Sequence, residues 1–187
     1  MHDEPDAGLG ALFEDLEQQA AAMELAERDA ELADRAQGEY AGVTLESRFH
    51  ASRGQGVLLS LTGAETVTGT LAEVGAGWCA VTSTSGTGAE VRWVVRLAEV
   101  AHARGLSSRS VPEAARPAVA RLGFGSALRR IGGESAELTV HPVAGPALTV
   151  RVLRVGADFA EVVPSDGPGV GRPLLVAFGG IRAVRSG

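Results

Sequence analysis

Four histidines, one cysteine and a run of arginines are the residues with chemistry to offer. His2, His50, His102 and His141 stand far apart. None has a cysteine, a second histidine or a glutamate at ligand spacing, so the pattern gives no metal site. Cys79 is the sole cysteine, which excludes an intrachain disulfide and a multi-cysteine zinc centre and fits a reducing compartment. No serine sits in a G-x-S-x-G elbow with a positioned base. Gly123-Phe124-Gly125 lacks the preceding strand and the full spacing of a dinucleotide fingerprint. The glycine-rich stretches 84–89 and 165–171 have neither the following helix nor the lysine of a phosphate loop. Lysine is absent altogether, and all 17 basic residues are arginine. The expectation is a protein that is not an enzyme and uses no cofactor.

Binding is the chemistry left to the arginines. Arg104, Arg109, Arg116, Arg121, Arg129 and Arg130 lie in a segment whose only acid is Glu113, and Arg151 and Arg154 follow on the outward side of a long strand. The guanidinium fork suits phosphate. Against it stands an acidic start: residues 1–46 hold 13 acids and 2 arginines, a net of −11 in a chain whose total is −6. Two readings follow, a nucleic-acid or anion surface, or arginines paired with the chain's own acids. Trp78 and Phe159 each follow a tight turn, either as core residues or as stacking platforms for bases.

The elements that must position these residues come from an internal period. Thr68–Val81 recurs as Thr149–Val162, with Val74-Gly75-Ala76 and Val155-Gly156-Ala157 displaced by 81 residues. A fixed period sets the architecture. Each copy reads as a short helix and five strands. Those of the first are Val57–Leu61, Thr66–Val74, Trp78–Thr82, Val91–Leu97 and Glu99–Ala103. Those of the second are Glu137–His141, Leu148–Val155, Phe159–Val163, Leu174–Phe178 and Ile181–Val184. Both long strands break the alternation of inward residues before the same anchor, Val74 or Val155, which predicts a bulge or bend there. At 187 residues the chain fits one domain or two small ones. A copy of about 60 residues has a marginal core alone, so the two should pack together.

Ahead of the copies, residues 10–38 read as an acidic amphipathic helix ending at Gly38. Leu9, Phe13, Leu16, Ala20 and Met23 form one apolar stripe that needs a partner face. Residues 1–9 are expected to be disordered. The segment Met1-His2-Asp3-Glu4 opens no apolar run, and no stretch reaches the length of a membrane helix, so a cytoplasmic protein is expected.

A short helix followed by five bent strands, with Gly63 and Gly69-Thr70-Leu71-Ala72-Glu73-Val74 before the turn, resembles the Sm-like small barrel, and a generic SH3-like barrel is similar. The resemblance covers residues 44–105 and 126–187. Its RNA-contacting positions do not carry over: Gly75 and Gly156 stand where the family has aspartate, and Cys79 and Ala160 where it has asparagine. The whole chain also resembles a group of actinobacterial proteins often labelled Fis-family transcriptional regulators, through Leu12-Phe13-Glu14-Asp15-Leu16-Glu17, Ser110-Val111-Pro112-Glu113-Ala114 and Val155-Gly156-Ala157-Asp158-Phe159. That label implies a helix-turn-helix, which the glycines at 123 and 125 interrupt. The expected organisation is therefore mainly β: an acidic helix (10–38), a barrel (44–105), a basic linker (106–125) and a second barrel (126–187). The expected role is an interaction or assembly module with a protein partner or a second copy, nucleic-acid binding being the alternative.

Overall fold

The computed structural model describes residues 6–167 and 169–186, with side chains from residue 16 onward. The chain falls into two compact units, divided between Val43 and Thr44.

The first unit is a single helix, α1 (Asp6–Ala41), longer at both ends than the expected 10–38. Gly38 does not stop it. A lone interior glycine costs about 1 kcal/mol against alanine, and the residues after it still suit a helix. The chain turns instead at Gly42, where Gly42 N–H donates to Glu39 O (3.2 Å) and Val43 N–H to Tyr40 O (3.0 Å). Residues 6–9, expected to be disordered, are helical, and residues 1–5 lie outside the described chain. Leu16, Ala20 and Met23 fall on α1, whereas the side chains of Leu9 and Phe13 lie outside the described residues.

The second unit is mainly β. Thr44 caps α2 (Leu45–Ala51), its Oγ1 accepting from Ser47 N–H at 3.1 Å. Five strands follow: β1 (Gly56–Leu61), β2 (Thr66–Gly75), β3 (Trp78–Thr84), β4 (Glu90–Arg96) and β5 (Val100–Arg104). After α3 (Phe124–Glu134) come β6 (Leu138–Pro142), β7 (Leu148–Val155), β8 (Phe159–Pro164), β9 (Leu174–Ala177) and β10 (Ile181–Ser186). Valine and leucine lead these segments, and the β-branched valine and threonine suit pleated, half-buried surfaces.

All ten strands join one antiparallel sheet in the order β5-β1-β2-β3-β4-β10-β6-β7-β8-β9. The β2–β3 ladder pairs Leu71 with Val81 and Glu73 with Ala80, skipping one residue. The β7–β8 ladder pairs Val152 with Val162 and Arg154 with Glu161, skipping the residue 81 positions further on. The bulge read from the broken alternation is therefore present in both long strands. The β1–β5 and β6–β10 ladders also shift at matching places, after Ser60 and after His141. Closed five-stranded barrels are not what the sheet forms. It stays open, because the outer edge of β4 is taken by β10 rather than turning back onto β5.

Two apolar clusters lie within this unit. Phe49, Leu59, Val67, Leu71, Val81 and Val95 centre the first. Leu128, Ile131, Leu138, Val150, Val162 and Val184 centre the second. On β3, Cys79 and Val81 face the first cluster while Trp78 and Ala80 belong to the second. Period-two alternation thus gives this strand two buried faces. The stretch between β5 and α3 is tied down. Arg48 Nη2 donates to Ser107 O (2.6 Å), Ser107 N–H to the fully buried Ser52 Oγ (2.8 Å), and Val111 N–H to Ser47 O (3.0 Å).

Candidate interaction surface

The seam between β4 and β10 shows how this sheet joins strands that are distant in sequence. Three pairs hold it, Val95 with Ala183, Val94 with Val184, and Trp93 with Arg185. Val94 is 2% exposed and Trp78, in the same second cluster, 3%. Polar groups clasp the seam. Arg96 Nη1 donates to the carbonyls of Phe178 (2.9 Å), Gly179 (3.2 Å) and Ile181 (3.2 Å). Arg92 N–H donates to Ser186 Oγ at 2.9 Å. The Arg185 guanidinium lies over the Trp93 ring, 5.6 Å from its centroid, a cation–π contact. His141 packs on the same ring at 4.9 Å, with Nδ1 3.3 Å from a Glu65 carboxylate oxygen.

Among the described residues, the two outermost strands, β5 and β9, each have one edge without a strand partner. That of β9 is Leu-Leu-Val-Ala, uncharged, with Leu175 64% and Leu174 41% exposed. Beside it on β8, Phe159 is 39% exposed. Edge strands are usually blunted by charge, proline or cover; β9 has Arg172 and Pro173 just before it but neither within it. On β5, Val100 and Ala103 pack on the first cluster while staying half-buried.

The arginines differ in what they bond to. Arg116 is half-buried and ion-paired to Glu46, and its Nε donates to Val111 O (3.4 Å). Arg130 pairs with Glu73, which also binds Arg92 at 3.1 Å. Arg154 chelates Glu161 through Nε (2.8 Å) and Nη2 (2.5 Å). Arg129 Nη2 donates to the carbonyls of Val155 (3.4 Å) and Gly156 (3.3 Å). Arg104, Arg109, Arg121 and Arg151 are exposed, and none has an ion pair among the described residues. Arg104 ends the β5 edge, whereas Arg151 lies on β7 beside Glu134 and Glu137. A cleft of about 220 Å³ is lined by Trp78, Val119, Leu122 and Ala127 together with Arg53 and the Glu73–Arg130 pair.

Trp78 and Phe159, equivalent in the sequence, part company. Trp78 is core, with its indole N–H donating to Leu122 O at 2.7 Å, while Phe159 is open to solvent. Cys79 is buried, and burial pushes its thiol far above the usual range. Burial lowers the pKa of His50, helped by the Arg116 charge, and lowers that of His141 against the pull of Glu65. His102 lies exposed on β5, and His2 is outside the described residues. No group of three His, Cys, Asp or Glu side chains that could hold a metal occurs among the described residues, and no described helix is long and apolar enough to cross a membrane.

Sequence reasoning missed the seam arginines, Arg92, Arg96 and Arg185, and the open leucines of β9. The signal for the leucines was present: 81 residues before Leu174 and Leu175 stand Trp93 and Val94. No protein-family model matches the chain, and no curated protein does.

Proposed function

We propose that this chain is a non-enzymatic interaction and assembly module. In this reading it is two fused five-strand repeats of Sm-like or SH3-like strand plan, merged into one open sheet behind an acidic helix, working in the cytoplasm, of the kind carried by the actinobacterial proteins it resembles. Support for the tandem plan is the strand order, in which β5-β1-β2-β3-β4 is followed by β10-β6-β7-β8-β9, with ladders matching at a displacement of 81 residues. One observation carries the functional reading: an uncharged sheet edge with its leucines in solvent. A partner that adds a strand there gains main-chain hydrogen bonds and apolar burial together. Immobilised full-length protein should retain its partner in high salt, and Leu175→Lys should lose it at least tenfold. Equal retention by both proteins overturns the reading.

Nucleic-acid binding is the second reading, favoured by the four exposed arginines without ion pairs and by the exposed Phe159 ring. Fluorescence anisotropy of labelled single-stranded RNA and duplex DNA with the full-length chain at two salt concentrations decides it. Phosphate contacts make affinity fall steeply with salt, by roughly one power of salt concentration per contact. Absence of binding at low salt removes this reading.

A further inference from the structure

The seam inside the sheet contains a template for what covers its ends. We infer that the β9 edge of one chain pairs antiparallel with the β5 edge of a second copy, joining chains head to tail. This inference rests on the assembly reading above and names its partner.

Register fixes which residues meet. The internal seam pairs Trp93 with Arg185, Val94 with Val184 and Val95 with Ala183. The neighbouring ladders of the two halves match at a displacement of 81: β3–β4 pairs Val81 with Trp93 and Cys79 with Val95, and β8–β9 pairs Val162 with Leu174 and Ala160 with Val176. On the other side, β1–β5 pairs Leu58 with Arg104 and β6–β10 pairs Thr139 with Arg185. Moving each seam residue by that displacement gives three pairs between chains: Leu174 with Arg104, Leu175 with Ala103, and Val176 with His102. All six residues lie on edges that have no strand partner among the described residues.

Burial points the same way. Trp78 and Val94, which pin the internal seam, correspond to Phe159 and Leu175, and both of these stand in solvent. Ile181 and Val184, which receive the seam and are 1% and 0% exposed, correspond to Val100 and Ala103, still half-buried on the first cluster. Apolar side chains are therefore exposed on the β9 side and only half-buried on the β5 edge, at positions whose counterparts the internal seam buries fully.

The second joint is weaker than the first. Ala177 stands in the place of Arg96, so the three-carbonyl clasp is missing. Pro173 stands in the place of Arg92, whose N–H binds Ser186, and proline has no N–H to give. The pairing should accordingly be reversible and concentration-dependent. Because donor and acceptor edges differ, one pairing leaves a free edge at each end. Such heterologous contacts close into rings or continue as filaments.

The test is a disulfide trap with the full-length protein, whose buried Cys79 stays unreactive. Opposed residues in an antiparallel pair bring their Cβ atoms within about 5.5 Å, close enough to bridge with slight adjustment. Mixing Leu175→Cys with Ala103→Cys at about 100 µM, a weak-affinity range, should give a crosslinked species of twice 19.2 kDa. Its yield should exceed tenfold that from Leu175→Cys mixed with Ala101→Cys, which is two residues out of register. Sedimentation of the wild type should show mass rising with concentration, and Leu175→Lys should abolish the rise. Equal trapping by matched and mismatched pairs, or a monomer throughout, overturns the inference. If the chain is monomeric while Leu175→Lys still loses a different retained protein, self-pairing fails and the module reading stands. If Leu175→Lys changes nothing, both fail.

Discussion

At the scale of single residues, Trp78 approaches Gly75 closely. A methyl group at Gly75 would lie 2.3 Å from Trp78 Nε1 and 2.7 Å from Leu122 O. The ring is itself held by the hydrogen bond to Leu122 O, so neither neighbour yields freely. Gly75→Ala should destabilise the β unit by about 1–3 kcal/mol, the usual cost of overpacking, read as a lower urea midpoint at unchanged slope. Arg96→Ala should cost about 1.5–3 kcal/mol, the range for a hydrogen-bonded charge, since it leaves the carbonyls of Phe178, Gly179 and Ile181 without their donor. The buried histidines set a pH dependence. Burial holds His50 and His141 below their ordinary value of 6.5, so the folded chain keeps them neutral. The unfolded chain takes up those protons first as pH falls, and stability present above about 6.5 is lost toward the folded values. Glu65 opposes this at His141, while Arg182 and Arg185 reinforce it. Urea midpoints should drop between pH 7.5 and 5, and His141→Phe should flatten part of that slope. An unchanged slope in the variant would assign the effect elsewhere.

At the scale of elements, strands were the legible part of the sequence. Alternation of apolar residues marks them, and its failure before Val74 and Val155 marks the bulges, because a pleat permits no other way to change faces. Helix ends were less legible. Gly38 is a stop signal by residue type, yet the helix runs on to Ala41, since three good helical residues outweigh one glycine. The exposed leucines of β9 were hidden for another reason. Leu174-Leu175-Val176 and Trp93-Val94-Val95 are both apolar runs, and only strand order decides which of the two is covered. The arginines have differing partners: Arg116, Arg129, Arg130 and Arg154 bond to acids or carbonyls, while Arg104, Arg109, Arg121 and Arg151 have no ion pair among the described residues. Their closeness in the chain says nothing of where a bulged sheet and a tied-down linker place them, and half of them find acids or carbonyls within their own unit.

At the scale of the whole β unit, the double burial of β3 joins the two halves energetically. Cys79 and Val81 serve one core while Trp78 and Ala80, with Val94 on β4, serve the other. Thermal unfolding of the full chain should therefore show a single transition for the sheet, monitored by tryptophan fluorescence, because Trp78 and Trp93 report on both cores at once. Two separable transitions would contradict this. A chain ending after Leu122 should expose Trp78, Ala80 and Val94 and precipitate, rather than fold as an independent barrel.

The bond between Trp78 and Leu122 carries one more consequence, for the order in which the halves are made. A nascent chain completes β1 to β5 before α3 and β6 have left the ribosome, so Trp78 is synthesised well ahead of the surface that covers it. Until then the indole has only the Leu122 carbonyl to hold it, together with the neighbouring bridge from Ala76 to Gly123. The linker is thus the first later segment that can hold the indole, by one hydrogen bond, while the apolar cover of the ring waits for α3 and β6.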